Sequence, residues 1–148
     1  MATAYTSNHL AYNYPVPTSD RAGEVLAVQV EHEISAALVI NDTFSMMTLP
    51  AGHVVVDCIL YTDDLESSGT ASTLDVGFIG GNADALIDGS TVSQAGGMVR
   101  MGSSAALEAG PSTSDQTVGV TVASAPTTGA TSGTIGLVLM YRAAQPDE

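Results

Sequence analysis

The chain has 148 residues, 45% of them apolar, and a formal net charge of −13 from sixteen Asp and Glu set against three arginines and no lysine. That length suits one domain, which buries roughly two-thirds of its unfolded surface and needs no disulfide or metal to hold its core. The one-sided charge excludes nucleic acid and an anionic membrane as partners, and the missing lysine excludes Schiff-base and P-loop chemistry.

Charged residues make up only 13% of the chain, against about 25% in an ordinary globular protein. Cys58 is the sole cysteine, so neither an intrachain disulfide nor a multi-cysteine zinc site is available. The opening "MATAYTSNHLAYNY" carries no positive charge before Arg21 and no continuous apolar stretch, so it does not read as a signal peptide. No apolar run approaches the roughly 20 residues that span a bilayer. The expectation is a soluble chain synthesised in the cytoplasm.

Residues 1–22 stand apart. They hold Tyr5, Tyr12 and Tyr14 and the "PVP" of Pro15 and Pro17, and proline fixes φ and lacks a donor, so the segment reads as extended: either a disordered terminus or an arm that lies across a neighbouring subunit. Tyr5, Tyr12, Tyr14, Pro15 and Pro17 are the candidate partner contacts, because amphipathic rings make good anchors on a neighbouring surface. Residues 23–143 form the expected β-sandwich domain, and 144–148 a short acidic tail.

Within the domain, "EVLAVQVEHEI" alternates, with Leu26, Val28, Val30, His32 and Ile34 on one face. "DTFSMMTLP" is a short strand stopped by Pro50, and "PAG" supplies a turn. "HVVVDCILY" is apolar on both faces and predicts a strand in the middle of a sheet. "TLDVGFI" buries Leu74, Val76 and Phe78, and "GMVRM" is a weaker strand. "TVGVTVA" points Val118, Val120 and Val122 inward, and "TIGLVLMYR" does the same with Ile135, Leu137, Leu139 and Tyr141. "SAPTTGATSG" joins these last two, which are expected to form a hairpin with a wide connection. "NADALID" and "SSAALEAG" each have room for one or two helical turns. The fold class is therefore all-β: an antiparallel β-sandwich or jelly roll with an extended N-terminal arm.

No motif assembles chemistry. Gly77, Gly80 and Gly81 follow a strand, but the dinucleotide fingerprint needs a different spacing and a real helix, and Asp75, Asp84 and Asp88 would repel phosphate. These glycines turn the chain. In "EHE" the alternation of a strand sends His32 away from Glu31 and Glu33, and His9, His32 and His53 include no H-x-H pair. Asp63, Asp64 and Glu66 lack the spaced donors of a calcium loop and read as a solvated turn. Asp84 and Asp88 flank Leu86 and Ile87, an apolar pair placed to plug the end of the sandwich. Cys58 sits among apolar neighbours and reads as an inert core thiol. No serine lies in G-x-S-x-G. Neither an enzyme, a cofactor nor a metal is expected.

From Leu49 to Gly97 the order "LPAG", an apolar strand, "DDL", "TLDVG" and "ADALIDG" resembles small virion proteins of tailed bacteriophages encoded near the major capsid protein. "TGATSGTIGLVLMY" at 128–141 is similar to their closing hairpin. The resemblance covers roughly residues 23–142 and implies a β-sandwich decoration, or cement, protein on the outer capsid surface of a virion. It implies the major capsid protein as partner and a homo-oligomer, with a trimer favoured, that bridges neighbouring capsid subunits. It supplies no catalytic residues. The alternative from another class is a carbohydrate-binding or tail-associated adhesive sandwich, which the absence of Trp and the presence of only two Phe disfavour.

Overall fold

The computed structural model describes residues 2–11 and 24–145. In chain order the strands are β1 (Ala4–Thr6), β2 (Val25–Ile34), β3 (Thr43–Leu49), β4 (His53–Thr62), β5 (Glu66–Ser68), β6 (Thr73–Phe78), β7 (Ile87–Ser90), β8 (Gly97–Arg100), β9 (Gln116–Ser124), β10 (Thr128–Gly129) and β11 (Gly133–Ala143). Two single-turn helices, α1 (Asn8–Ala11) and α2 (Ser104–Glu108), and a 3-10 turn at Val92–Gln94 complete the described elements. One sheet runs β1-β3-β9-β6-β7 and the other β2-β11-β4-β8, while β10 and β5 form a two-stranded ribbon. All pairings are antiparallel except β1 with β3.

The period-2 alternation explains this arrangement. Val118, Val120 and Val122 of β9 and Leu74 and Val76 of β6 point inward from the first sheet, fully buried. They meet Ile135, Leu137, Leu139 and Tyr141 of β11 and Cys58 and Leu60 of β4, also fully buried, in one core cluster. Burying such side chains contributes roughly 1.5–3 kcal/mol each. β4 lies between β11 and β8, as its two-sided apolarity predicts. In β2 the inward set Leu26, Val28, Val30, His32 and Ile34 alternates with exposed residues.

The expected hairpin between β9 and β11 does not form. β9 is paired on both edges, with β3 and β6, and β11 on both edges, with β2 and β4. Each is an interior strand of its own sheet, and the connection crosses between sheets, pairing β10 with β5 on the way. Alternation reports which face is buried and not which strand is the neighbour, so it could not distinguish the two arrangements. The "NADALID" helix is also absent. Phe78 N–H donates to Asn82 O (2.8 Å) and Gly81 N–H to Phe78 O (3.0 Å), and the chain enters β7 directly. "SSAALEAG" does hold one turn, α2.

The described part of the N-terminal segment does not project from the sandwich. β1 pairs in parallel with β3, Ser7 N–H donates to Ser45 O, and Thr3 N–H donates to Asp42 Oδ1. Residues 2–11 therefore lie along the domain's own edge, and Ala144 N–H, donating to Gly52 O, ties the other terminus to the β3–β4 turn. Tyr12, Tyr14, Pro15 and Pro17 lie outside the described residues.

Candidate interaction face

The outer faces of the two sheets differ in chemistry. On the first sheet, the positions alternating with the core are Thr43, Thr48, Thr117, Thr121, Thr73 and Asp75. They are small and polar; Asp75 accepts from Gly89 N–H, and the Thr121 hydroxyl is buried without a hydrogen-bond partner among the described residues. Ile79, lying over Gly119, and the small Ala123 are apolar exceptions there.

The second sheet presents Ala27 and Gln29 from β2, Val138 and Met140 from β11, Ile59 and Tyr61 from β4, and Met98 from β8. Register aligns Gln29, Val138 and Ile59 in one row and Glu31, Gly136, Tyr61 and Met98 in the next. Met98 is 69% exposed and Val25, at the end of β2, 49%. Glu31 and Glu33 mark one end of this face, and Arg142, paired in register with Val25, the other.

Tyr61 is locked across this face. Its hydroxyl donates to Glu31 Oε1 at 2.7 Å and accepts from Gln29 Nε2 at 2.6 Å, so the ring reaches from β4 across β11 to β2. Only Gly136 leaves room beneath it, because a Cβ there would overlap the ring. Burial, then the hydrogen bond to Glu31, raises the phenol above its ordinary pKa. The result is a rigid aromatic platform, and rigid amphipathic rings are what protein contact surfaces favour. Sequence reading did not single out Tyr61; the signal was Gly136, a glycine inside an otherwise bulky strand.

At the rim of the face Arg100 holds Asp57. Its Nε donates to Asp57 Oδ2 at 2.6 Å and its Nη2 lies 2.5 Å from the same oxygen, while Cys58 N–H donates to Oδ1. Hydrogen bonding to Asp57, and then its charge, raises the Arg100 pKa.

The remaining sequence candidates resolve as follows. Tyr5 faces inward: its ring stacks on Phe44 (4.9 Å between centroids) and tilts against His32 at 5.6 Å, so in this chain it anchors β1 to its own domain. Burial lowers the His32 pKa. Among the described residues no group of three His, Cys, Asp or Glu is placed to hold a metal. Cys58 is fully buried, and burial, followed by the Asp57 charge, pushes its thiol up to about 12. Gly77 has no space for a Cβ against the Asn82–Ala83 backbone, and Gly80 has φ +84°, so these glycines do bend the chain. Leu86 and Ile87 are buried, as expected of a plug.

The acidic loop needs one correction. Asp63 and Asp64 are exposed, but Glu66 is 4% exposed and accepts hydrogen bonds from the backbone of Ala71, Ser72 and Thr127 and from Ser72 Oγ. Burial alone would raise its pKa; these hydrogen bonds outweigh it and bring the carboxyl to about 2. Glu66 is a buried knot joining β5 to the loops at 71 and 127, not part of a solvated turn.

No helix among the described residues is long and apolar enough to cross a membrane. No protein-family model matches the sequence, and no curated protein does. Solved structures do match. A chain in the capsid of Ralstonia phage GP4 is 34% identical, covering 97% of this chain and 99% of its own, with a TM-score of 0.87. The fold also matches a chain of the cyanophage Pam1 capsid asymmetric unit at 24% identity, covering 88% and 92% of the two chains, with a TM-score of 0.70. A chain of the acid-stable capsid of the Helicobacter pylori phage KHP30 is similar in fold at 17% identity, over 80% and 92%, with a TM-score of 0.50. With that identity to the GP4 chain over almost the full length of both, this chain belongs to the same family of phage capsid-related proteins.

Proposed function

We propose that this protein is a structural virion component that decorates and stabilises the outside of a phage capsid, bridging neighbouring subunits of the major capsid protein as a homo-oligomer, a trimer. The observation that carries this reading is the end-to-end likeness to a chain of the GP4 capsid. The two-faced sandwich supports it: a semi-apolar platform on the second sheet suits contact with the shell, and a threonine-rich first sheet suits water. The segment with Tyr12, Tyr14, Pro15 and Pro17 adds a reach to the neighbouring subunit. Several modest contacts per oligomer are sufficient, because bound points on one body reinforce one another. A protein that binds only the assembled shell stabilises it against disassembly by linkage.

Mass-spectrometric counting of this chain against the major capsid protein in gradient-purified particles tests the reading. A simple whole-number ratio between the two supports it. A few copies per particle would move the protein to the tail or a vertex, and its absence from particles would refute a virion role.

A further inference from the structure

Beyond the sheet face, the sandwich has a second contact feature on its open side. β7 closes one edge of the first sheet and β8 one edge of the second, and neither has a partner on its outer side among the described residues. Between them runs a groove of about 690 Å³, lined by the buried Leu86 and Ile87, by Val99, and by Asp84, Asp88 and Arg100.

The free edge of β8 is available for pairing. Met101 N–H donates to Cys58 O, which fixes the phase of the ladder: Val99 bonds across to Leu60, and the amide groups of Met98 and Arg100 point away from β4. An unpaired strand edge of this kind is a template for an added strand.

Charge selects the occupant. Asp84 and Asp88 are exposed carboxylates at the groove, while the cation there, Arg100, is drawn onto Asp57. A second copy of this chain is a poor source of a matching strand, since it carries −13 overall and its three cations, Arg21, Arg100 and Arg142, lie too far apart in sequence for any one strand to offer more than one. We infer that this groove takes an extended, basic strand segment of a different polypeptide, added to the β8 edge with apolar side chains over Leu86 and Ile87. That the polypeptide is the major capsid protein rests on the function proposed above; the chemistry of the groove does not.

Two experiments separate these claims. In the first, the full chain, labelled for NMR, is titrated with capped peptides of alternating valine and arginine, or of alternating valine and glutamate. The expected result is shifts at 84–90 and 97–101 with the basic peptide, with at least tenfold weaker binding of the acidic one. Combining Asp84→Asn with Asp88→Asn should erase that preference. Equal binding of both peptides, or shifts spread over the whole surface, would overturn the groove whatever happens on the particle.

In the second, capsids lacking this chain are incubated with wild type, with Met98→Ala and with Met98→Pro, which removes one outward N–H that the fold does not use. Occupancy of Met98→Pro is expected to fall at least tenfold below that of Met98→Ala, which loses the same exposed side chain but keeps the N–H, with the two melting temperatures equal. Equal occupancy of the two variants would overturn strand addition to the shell, and failure of the wild type to bind would overturn the capsid reading while the peptide result stands.

Discussion

The contact between Tyr61 and Gly136 makes a sign-reversing prediction. A methyl group at position 136 overlaps the Tyr61 ring, and since the ring is the movable end of a side chain, it swings away and the fold survives. That breaks the hydrogen bonds to Gln29 and Glu31. At roughly 0.5–1.5 kcal/mol each, reduced because both face solvent, and with the ring's packing lost, Gly136→Ala should destabilise by about 1–2 kcal/mol. With Tyr61→Ala already in place there is no ring to displace, and the alanine should stabilise the strand by about 0.5–1 kcal/mol. The coupling energy is then about 2 kcal/mol, within the range for residues in contact. Urea unfolding of wild type, both single variants and the double variant measures it. Equal effects of Gly136→Ala in the two backgrounds would refute the latch.

Other outcomes follow from buried groups. Because the Glu66 carboxyl sits at about 2 in the folded chain against an ordinary 4.5, its contribution is fully present above pH 4.5 and is lost as pH falls through about 2. Glu66→Gln should therefore melt below wild type, with the gap constant above pH 4.5 and closing towards pH 2; a gap that stays constant would contradict the knot. Cys58, raised to about 12 and fully buried, should resist a thiol reagent in the native protein and react once urea unfolds it, whereas rapid native labelling would place it at the surface. Tyr5→Ala removes the stack on Phe44 and should destabilise the isolated domain by about 1–3 kcal/mol; no change would mean that the ring serves a partner instead.

How much of this was legible depends on which physical signal each feature leaves. The inward residues of β2, β6, β9 and β11 follow from alternation alone, because a half-buried strand imposes a period of two on its sequence. Neighbour relations leave no such trace, so the β9–β11 hairpin was expected and two interior strands of different sheets were found. The parallel pairing of β1 escaped for a similar reason: three residues are too few for a period, and the nearby prolines read as an arm. Glu66 looked like solvated charge because its partners are backbone amides far along the chain, at Ala71, Ser72 and Thr127. Gly136 did leave a mark, but the ring that fills its space comes from another strand.

The inner faces of both sheets are buried against each other in one core, so on the proposed decoration of a shell the outer faces would set the protein's orientation. A net charge of −13 opposes indiscriminate clustering, so one face can remain semi-apolar. Placing a carboxylate on each face in turn tests the asymmetry. Val138 and Thr117 are both partly exposed, outward-pointing residues on interior strands, so Val138→Asp and Thr117→Asp add the same charge to opposite faces. If the second sheet meets the shell, Val138→Asp buries an unpaired carboxylate in the interface and should lower particle occupancy at least tenfold, since such burial costs about 2 kcal/mol or more. Thr117→Asp, left in water, should leave occupancy within twofold. Melting curves of the free proteins control for stability. Equal losses would mean that repulsion by total charge, not the face, governs attachment; a loss confined to Thr117→Asp would turn the protein over on the capsid.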